Sequence, residues 1–402
     1  MVKKNKKKYS QFKESFLKKR IYLDYAATTP VDPRVLKTML PYFQEKFGNT
    51  VSIYRFGQEA KKTLEESRKI IAKVIKAQPK EIIFTSSATE SNNLALKGVL
   101  MANKNKGKHI IVSQIEHPSV LETAKWLERQ GYKVSYLSVD KWGLINFPQL
   151  KKTITKETIL ISIIHANNEI GTIQDIERIG RLCRKKGVYF HADAAQSFGK
   201  VPINVNKMKI DLLTASSHKI YGPKGAACLF IRQGIKVEPL LHGGGHEFGL
   251  RSSTIDLPAI VGFAKASQIY QKEGEKENQR LKKIRDKLIK GILEKIPKVR
   301  LNGHPLKRLS NNANFSFAGA EGESIVIHLD LLGIFASTGS ACSSKKLEPS
   351  HVLLALGLRP EEVHSSLRLT LGRWTKESDI DYLLKVLPKI IEKLRKISPF
   401  KI

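Results

Sequence analysis

With 402 residues, 41% of them apolar, the chain is long enough to bury one large α/β unit or two domains. Three cysteines, few and odd in number, exclude a secreted disulfide framework and predict free thiols in a reducing, cytoplasmic setting. The formal net charge of +33 suits RNA, acidic proteins or anionic lipid, but no RNA-binding motif accompanies it, and no run of 18 or more apolar residues predicts a membrane span.

The chain opens MVKKNKKKYSQFKESFLKKR, nine Lys or Arg against one Glu, without the apolar stretch of a secretory signal. From about residue 80, short β-branched runs alternate with helix-length segments. EIIFT, HIIVS, KVSYLSV, ILISIIH, VYFHAD and DLLTAS read as strands; SNNLALKGVLMANK, VLETAKWLERQG and DIERIGRLCRKKG read as helices between them. Such alternation predicts an α/β fold, a mostly parallel central sheet with helices on both faces, whose ligands bind at the carboxyl ends of the strands. Past about residue 260 long basic amphipathic helices such as QRLKKIRDKLIKGILEKI take over, followed by LSNNANFSF, which predicts a smaller α+β domain. The expected division is 1–20 as a basic extension, 21–260 as the large domain and 261–402 as the small one.

The strand ends collect polar residues. After IIFT comes SSATESNN, which reads either as a capping box, with Ser87 as N-cap and Glu90 three residues on, or as an anion cradle at a helix start. HIIVS leads to His117, by itself a helix cap or a catalyst, and ILISIIH leads to His165, Asn167 and Asn168. VYFHADAAQS delivers His191, Asp193 and Gln196, where the acid is a cap or a charge partner. DLLTASSHKIYGPKG delivers Ser216, Ser217, His218 and Lys219 before a Gly-Pro turn. An anion cradle, a carboxylate and a lysine in succession form the set that pyridoxal phosphate needs: a phosphate site, an acid for the pyridine nitrogen and a Schiff-base lysine.

At this point the chain resembles the cysteine desulfurases that serve iron–sulfur assembly, in the class V aminotransferase group of fold-type-I pyridoxal-phosphate enzymes. The resemblance runs from YLDYAATTPVDP at Tyr22 to about Pro399 and rests on SSATESNN, EHPSV, HANNEIGT, HADAAQS, SSHKIYGPKG, GGGHEFGLRSST, GSACSS and SSLRLTLGR. It implies the transferase fold of that type, with Lys219 as the Schiff-base lysine, Asp193 on the pyridine nitrogen, and His117 stacked on the ring and moving protons. Gln196 and Asn168 would contact the ring, Asn168 also the substrate. Ala88, Thr89, Ser216 and His218 would hold the phosphate, with Ser217 among the cofactor contacts. Thr254 would reach the phosphate of a neighbouring subunit, implying a homodimer with shared sites, and Arg368 would grip the substrate carboxylate.

Cys183 lies in a helix pattern and Cys228 in an apolar strand, so both read as structural. Cys342 instead sits in FASTGSACSSKK, among small, polar and basic residues that predict an exposed connecting segment with a favoured thiolate. By resemblance its thiolate takes the sulfur of L-cysteine, leaving L-alanine and a persulfide that passes to an iron–sulfur scaffold or a sulfur carrier, including one for tRNA thiolation; Cys342 would at most ligate a cluster transiently. The sequence departs from the family in its Lys-rich start and in stopping at SPFKI, before a tail that many relatives use in scaffold docking. Rival readings are a selenocysteine lyase or other pyridoxal-phosphate lyase or transaminase, a basic RNA-binding protein on an enzyme scaffold, and a metal-dependent hydrolase. The last would use His117, His165, His191, Asp193, His218, His242 or His246, which lack a compact ligand spacing.

Overall fold

The computed structural model describes residues 20–339 and 349–398, so Cys342 lies outside the described residues. The chain forms two compact units, one of Thr28–Asn168 with Thr172–Glu275, the other of the described parts of Met1–Ala27, Glu169–Gly171 and Lys276–Ile402.

The larger unit is built on seven strands: β1 (Ile82–Thr85), β2 (His109–Ser113), β3 (Lys133–Leu137), β4 (Thr158–Ile164), β5 (Tyr189–Asp193), β6 (Leu212–Ser216) and β7 (Ala227–Ile231). Their order across the sheet is β1-β7-β6-β5-β4-β2-β3, with β2 to β6 running parallel and β7 antiparallel to both its neighbours. The predicted mostly parallel sheet is therefore present. Apart from β3, these strands are apolar on both faces, as a sheet covered by helices requires: every residue of β2, β4 and β6 is buried.

The covering helices show why these segments fold as they do. A helical stretch begins at α1 (Ala88–Asn93), widens to π geometry over Leu94–Gly98 and continues to Ala102. It packs Leu94, Leu96, Val99 and Leu100 into the same core as β2 Val112 and β4 Leu160. In α2 (Pro118–Arg129) Val120, Ala124 and Leu127 recur at helical spacing and are fully buried. α3 (Ile176–Lys186) buries Ile176, Ile179 and Cys183 and stops at Gly187, whose φ of +70° is a left-handed cap suited to glycine.

The smaller unit carries a three-stranded antiparallel sheet, β8 (Val299–Asn302), β9 (Asn312–Phe317) and β10 (Ser366–Thr370), with β9 central. Against it pack the C-terminal part of α4 (Leu257–Lys295) through Leu281, Ile284, Leu288 and Ile292, and α5 (Glu377–Ile397) through Ile380, Leu383, Leu387 and Ile391. This core is separate from that of the large sheet. Among the described residues, no helix is long and apolar enough to cross a membrane.

Candidate active site

In the larger unit the polar residues at the strand ends form a connected set. Asp193, the last residue of β5, is 3% exposed. Its Oδ1 accepts from the Ala195 backbone N–H at 2.9 Å and its Oδ2 from the Asn92 amide at 2.8 Å. The same Asn92 nitrogen donates its second hydrogen to Ser119 Oγ at 2.8 Å. Ser119 Oγ in turn lies 2.8 Å from His117 Nδ1, which also accepts the Ser119 backbone N–H at 3.1 Å. A backbone N–H can only donate, so Nδ1 is an acceptor and the ring proton of neutral His117 resides on Nε2. His117 is thus both the N-cap of α2 and one end of a chain leading through Ser119 and Asn92 to Asp193. The cap reading of His117 is therefore present, with Nε2 left for another partner.

The turn before His117 is held by a buried acid. Glu116 Oε1 accepts from the Ser113 hydroxyl and from the Ile164 backbone N–H, the latter at 2.8 Å, tying the ends of β2 and β4 together. Burial, with a contribution from the Asp193 charge, pushes its carboxyl up to about 8 against the opposing hydrogen bonds. Asn167 does similar tying, its amide donating to the Ile115 carbonyl at 2.8 Å, while its neighbour Asn168 is half-buried. Gln196 is buried in the turn after β5.

Ser216 ends β6 and is followed by a single 3₁₀ turn, Ser217–Lys219. The His218 carbonyl accepts from the Thr29 backbone N–H and hydroxyl at 3.1 and 3.0 Å, and His218 Nδ1 lies 3.1 Å from Thr28 Oγ1, so this turn is braced by ATTP of the first motif. Burial, and after it the charges of Lys219, Lys224 and Lys200, lowers His218 to about 3. The imidazole is neutral among three ammonium groups, a local excess of positive charge that suits an anion. Lys219 itself is half-buried.

Ala88 and Thr89 open α1, with Thr89 exposed. Ser87 caps this helix, its Oγ accepting from the Glu90 N–H at 3.1 Å. The expected capping box is only half made. Glu90 reaches one residue further back, accepting the Ser86 N–H at 2.8 Å, and also takes Arg251 Nε at 2.8 Å. Burial would raise Glu90, but Arg251 and Ser86 together hold it below its ordinary value. Thr254, three residues after Arg251, is exposed.

The smaller unit holds Arg368 on β10, 3% exposed. Its Nη2 donates to Asp24 Oδ1 at 2.9 Å, and its backbone pairs with Ser337 and, across the sheet, with Asn314. Cys183 and Cys228 are fully buried, and burial raises both thiols well above the usual range. Neither is a ready thiolate. His109 and His191 bridge strands by hydrogen bonds to Thr158 and Ser135, and to Ser162 and Thr214. Asn92, Ser119, Glu116 and Asp24 were not singled out by sequence reasoning. The first three lie inside the motifs SSATESNN and EHPSV and the fourth inside YLDYAATTP, so the motifs held the signal without ranking the residues.

These donors fit pyridoxal phosphate. A buried carboxylate held by neutral donors can keep a pyridinium proton, a lysine ends the electropositive turn that holds His218, and a helix start supplies N–H groups.

The aminotransferase class-V family model matches residues 21–383. "Cysteine desulfurase IscS" of Clostridium botulinum is 51% identical over 385 residues, covering 95% of this chain and 97% of that protein. Among solved structures, a "NifS-like protein" superposes with a TM-score of 0.88 at 38% identity, over 93% of this chain and all of that one. Another, described as "SspA in complex with cysteine", gives 0.79 at 36% identity over 89% of this chain and all of that one. The chain belongs to the class-V aminotransferase family and, within it, to the cysteine desulfurases.

Proposed function

We infer that this protein is a pyridoxal-phosphate-dependent cysteine desulfurase that converts L-cysteine to L-alanine and supplies sulfur for iron–sulfur cluster assembly. The observation that carries the assignment of roles is the hydrogen-bonded chain from Asp193 through Asn92 and Ser119 to His117. Asp193 holds the proton of the pyridine nitrogen, and its two N–H donors fix the carboxylate without cancelling its charge. His117 presents Nε2–H to the reacting side, because Nδ1 is occupied by Ser119. Lys219 anchors the cofactor and moves the substrate Cα proton on Nζ. Ala88, Thr89, Ser216, Ser217 and His218 hold the phosphate, Gln196 and Asn168 orient the ring, and Arg368 binds the substrate carboxylate, a match of planar fork to planar anion. When bound, the cofactor supplies an electron sink for charge developing at the substrate Cα.

Cys342 receives the sulfur. Its thiolate attacks the substrate sulfur, an S–S bond forms as the substrate C–S bond breaks, and the bonding pair leaves with the carbon. L-Cysteine and the Cys342 thiol thus yield L-alanine and a Cys342 persulfide, with no external oxidant. An acceptor protein, an iron–sulfur scaffold or a carrier, then takes the sulfur. The larger domain carries the cofactor, the smaller one the cysteine, in a reducing cytoplasm that keeps the thiols free. The protein acts as a homodimer: seven large apolar or aromatic side chains between Leu36 and Tyr54 are exposed, Ile53 at 92%, which suits a second copy, and exposed Thr254 suits a contact to that copy's phosphate.

The test is a visible spectrum of the purified protein before and after L-cysteine, with alanine and sulfide quantified. A yellow protein that changes colour and releases alanine supports the reading; a colourless one, inert after added pyridoxal phosphate, refutes it. Lys219→Ala should lose the bound chromophore's lysine linkage, whereas Cys342→Ala should keep the colour and form no persulfide.

A further inference from the structure

Glu169 is a buried carboxyl that the mechanism leaves unused. Glu169 follows Asn168 in the chain, but it belongs to the smaller unit, as part of the three-residue piece Glu169–Gly171. It is 4% exposed. Its backbone carbonyl accepts from the side-chain amides of Asn312 and Asn314 on β9, at 3.2 and 3.3 Å, which fixes the residue to the small sheet.

The carboxyl meets both flanks of the segment that carries Cys342. On the C-terminal flank, Ser350 Oγ lies 2.6 Å from Glu169 Oε2. That hydroxyl already accepts the Leu353 N–H at 3.2 Å as N-cap of the helix His351–Ala355, so its own hydrogen is donated to Glu169. On the N-terminal flank, a Cβ built on Gly339 would stand 2.5 Å from the same Oε2, so the carboxyl tip lies beside Gly339 and would have to shift to admit a side chain there. One oxygen atom is thus bonded to residue 350 and lies beside residue 339, and both are inside the same unit as Glu169. Burial pushes the Glu169 carboxyl up to about 7, against the lowering effects of the Ser350 hydrogen bond and the Arg368 charge.

We propose that Glu169 is a positioning residue of the desulfurase reaction, its carboxyl setting the two flanks of the Cys342 segment through Ser350 and Gly339. The proposal rests on the cysteine desulfurase reading, in which Cys342 must meet a bound substrate sulfur. Sulfur transfer is sensitive to this placement, because misplacing a nucleophile by about 1 Å costs up to about a hundredfold in rate. Binding of L-cysteine does not require Cys342 to be placed and is not expected to depend on Glu169.

The experiment uses the full-length enzyme and reads two quantities: L-cysteine affinity from the visible spectral change, and the rate of persulfide formation on Cys342 by alkylation and mass spectrometry. Glu169→Ala should slow persulfide formation by about tenfold and change the affinity by less than about threefold. Glu169→Gln keeps the shape and an acceptor for Ser350 and should restore most of the rate. Adding Ser350→Ala to Glu169→Ala should cost little more, because both remove one contact. An unchanged persulfide rate in Glu169→Ala overturns the proposal, as does a parallel loss of affinity and rate. Should Glu169→Ala fail to fold, Ser350→Ala alone, which removes only a hydroxyl, carries the same test: a slower persulfide step at unchanged affinity supports the proposal, and an unchanged step overturns it. Wild-type enzyme that shows neither spectral change nor persulfide would instead remove the desulfurase reading on which the proposal stands.

Discussion

Asp193 in the larger unit and Arg368 in the smaller are both buried charges assigned to hold a charged or proton-bearing group, yet they are built on opposite plans. Asp193 is held by an amide and a backbone N–H, neutral donors that steady its two oxygens and leave the negative charge intact. Arg368 is held by the carboxylate of Asp24, an anion of the kind it is proposed to bind. A buried guanidinium without a counter-charge is costly, and Asp24 supplies one. Neutral donors suit the proposed role of Asp193 toward a fixed cationic partner, whereas Arg368 keeps an internal anion beside the position proposed for a substrate carboxylate.

Removing the charge from the first plan should have the largest effect. Asp193→Asn preserves shape and loses the anion, and kcat/KM should fall by about 10²- to 5 × 10³-fold, corresponding to the 3–5 kcal/mol typical of breaking a buried ion pair. Cofactor retention on dialysis should fall with it. A variant within threefold of wild type would remove the role of Asp193. Next in size, Asn92→Ala takes away one of the two neutral donors and cuts the link to Ser119 and His117. Hydrogen bonds to charged groups contribute roughly 1.5–3 kcal/mol, so a loss of about tenfold or more in kcat/KM is expected, read by steady-state alanine production.

The second plan is probed at Asp24. Asp24→Ala frees the guanidinium edge that it orients, and KM for L-cysteine should rise several-fold with little change in kcat, since a binding group is disturbed and the chemistry is not. If kcat falls and KM stays constant, Arg368 is not the carboxylate receptor.

Much of this was legible in the sequence, for local reasons. The strands are runs of β-branched residues, Asp193 and Ser216 end two of them and Lys219 lies in the turn after the second, where ligands of a parallel sheet bind. Asn92 was not legible. It sits in a helix beside Asn93, and what separates the two is a partner 101 residues away for Asn92 against a local backbone carbonyl for Asn93. The same holds for Glu90, which local sequence assigns to a capping box and whose partner Arg251 lies 161 residues on. No shift of composition marks Glu169–Gly171 as part of the smaller unit either, because three residues are too few to carry a periodicity.

The smallest effect concerns Glu116, the acid beside the first plan, and bears on stability more than catalysis. Its folded-state carboxyl is pushed up to about 8, above the value it has in an unfolded chain, chiefly by burial and also by Asp193. The folded state therefore holds this proton more tightly, and the stability it contributes is present below the unfolded carboxyl's titration and is lost as pH rises toward 8. Glutamine cannot titrate and keeps an acceptor for the Ser113 hydroxyl and the Ile164 N–H. The thermal midpoint of Glu116→Gln should thus gain on that of wild type as pH is raised from about 5 to about 8. Glu169 titrates in the same direction in both proteins and cancels in the difference. Glu116→Ala instead leaves two buried donors without an acceptor, each costing about 1–3 kcal/mol, and should be destabilised at every pH. A midpoint difference between Glu116→Gln and wild type that stays flat across this range would show that Glu116 carries its charge in the folded protein, and the two plans would then share a second buried anion.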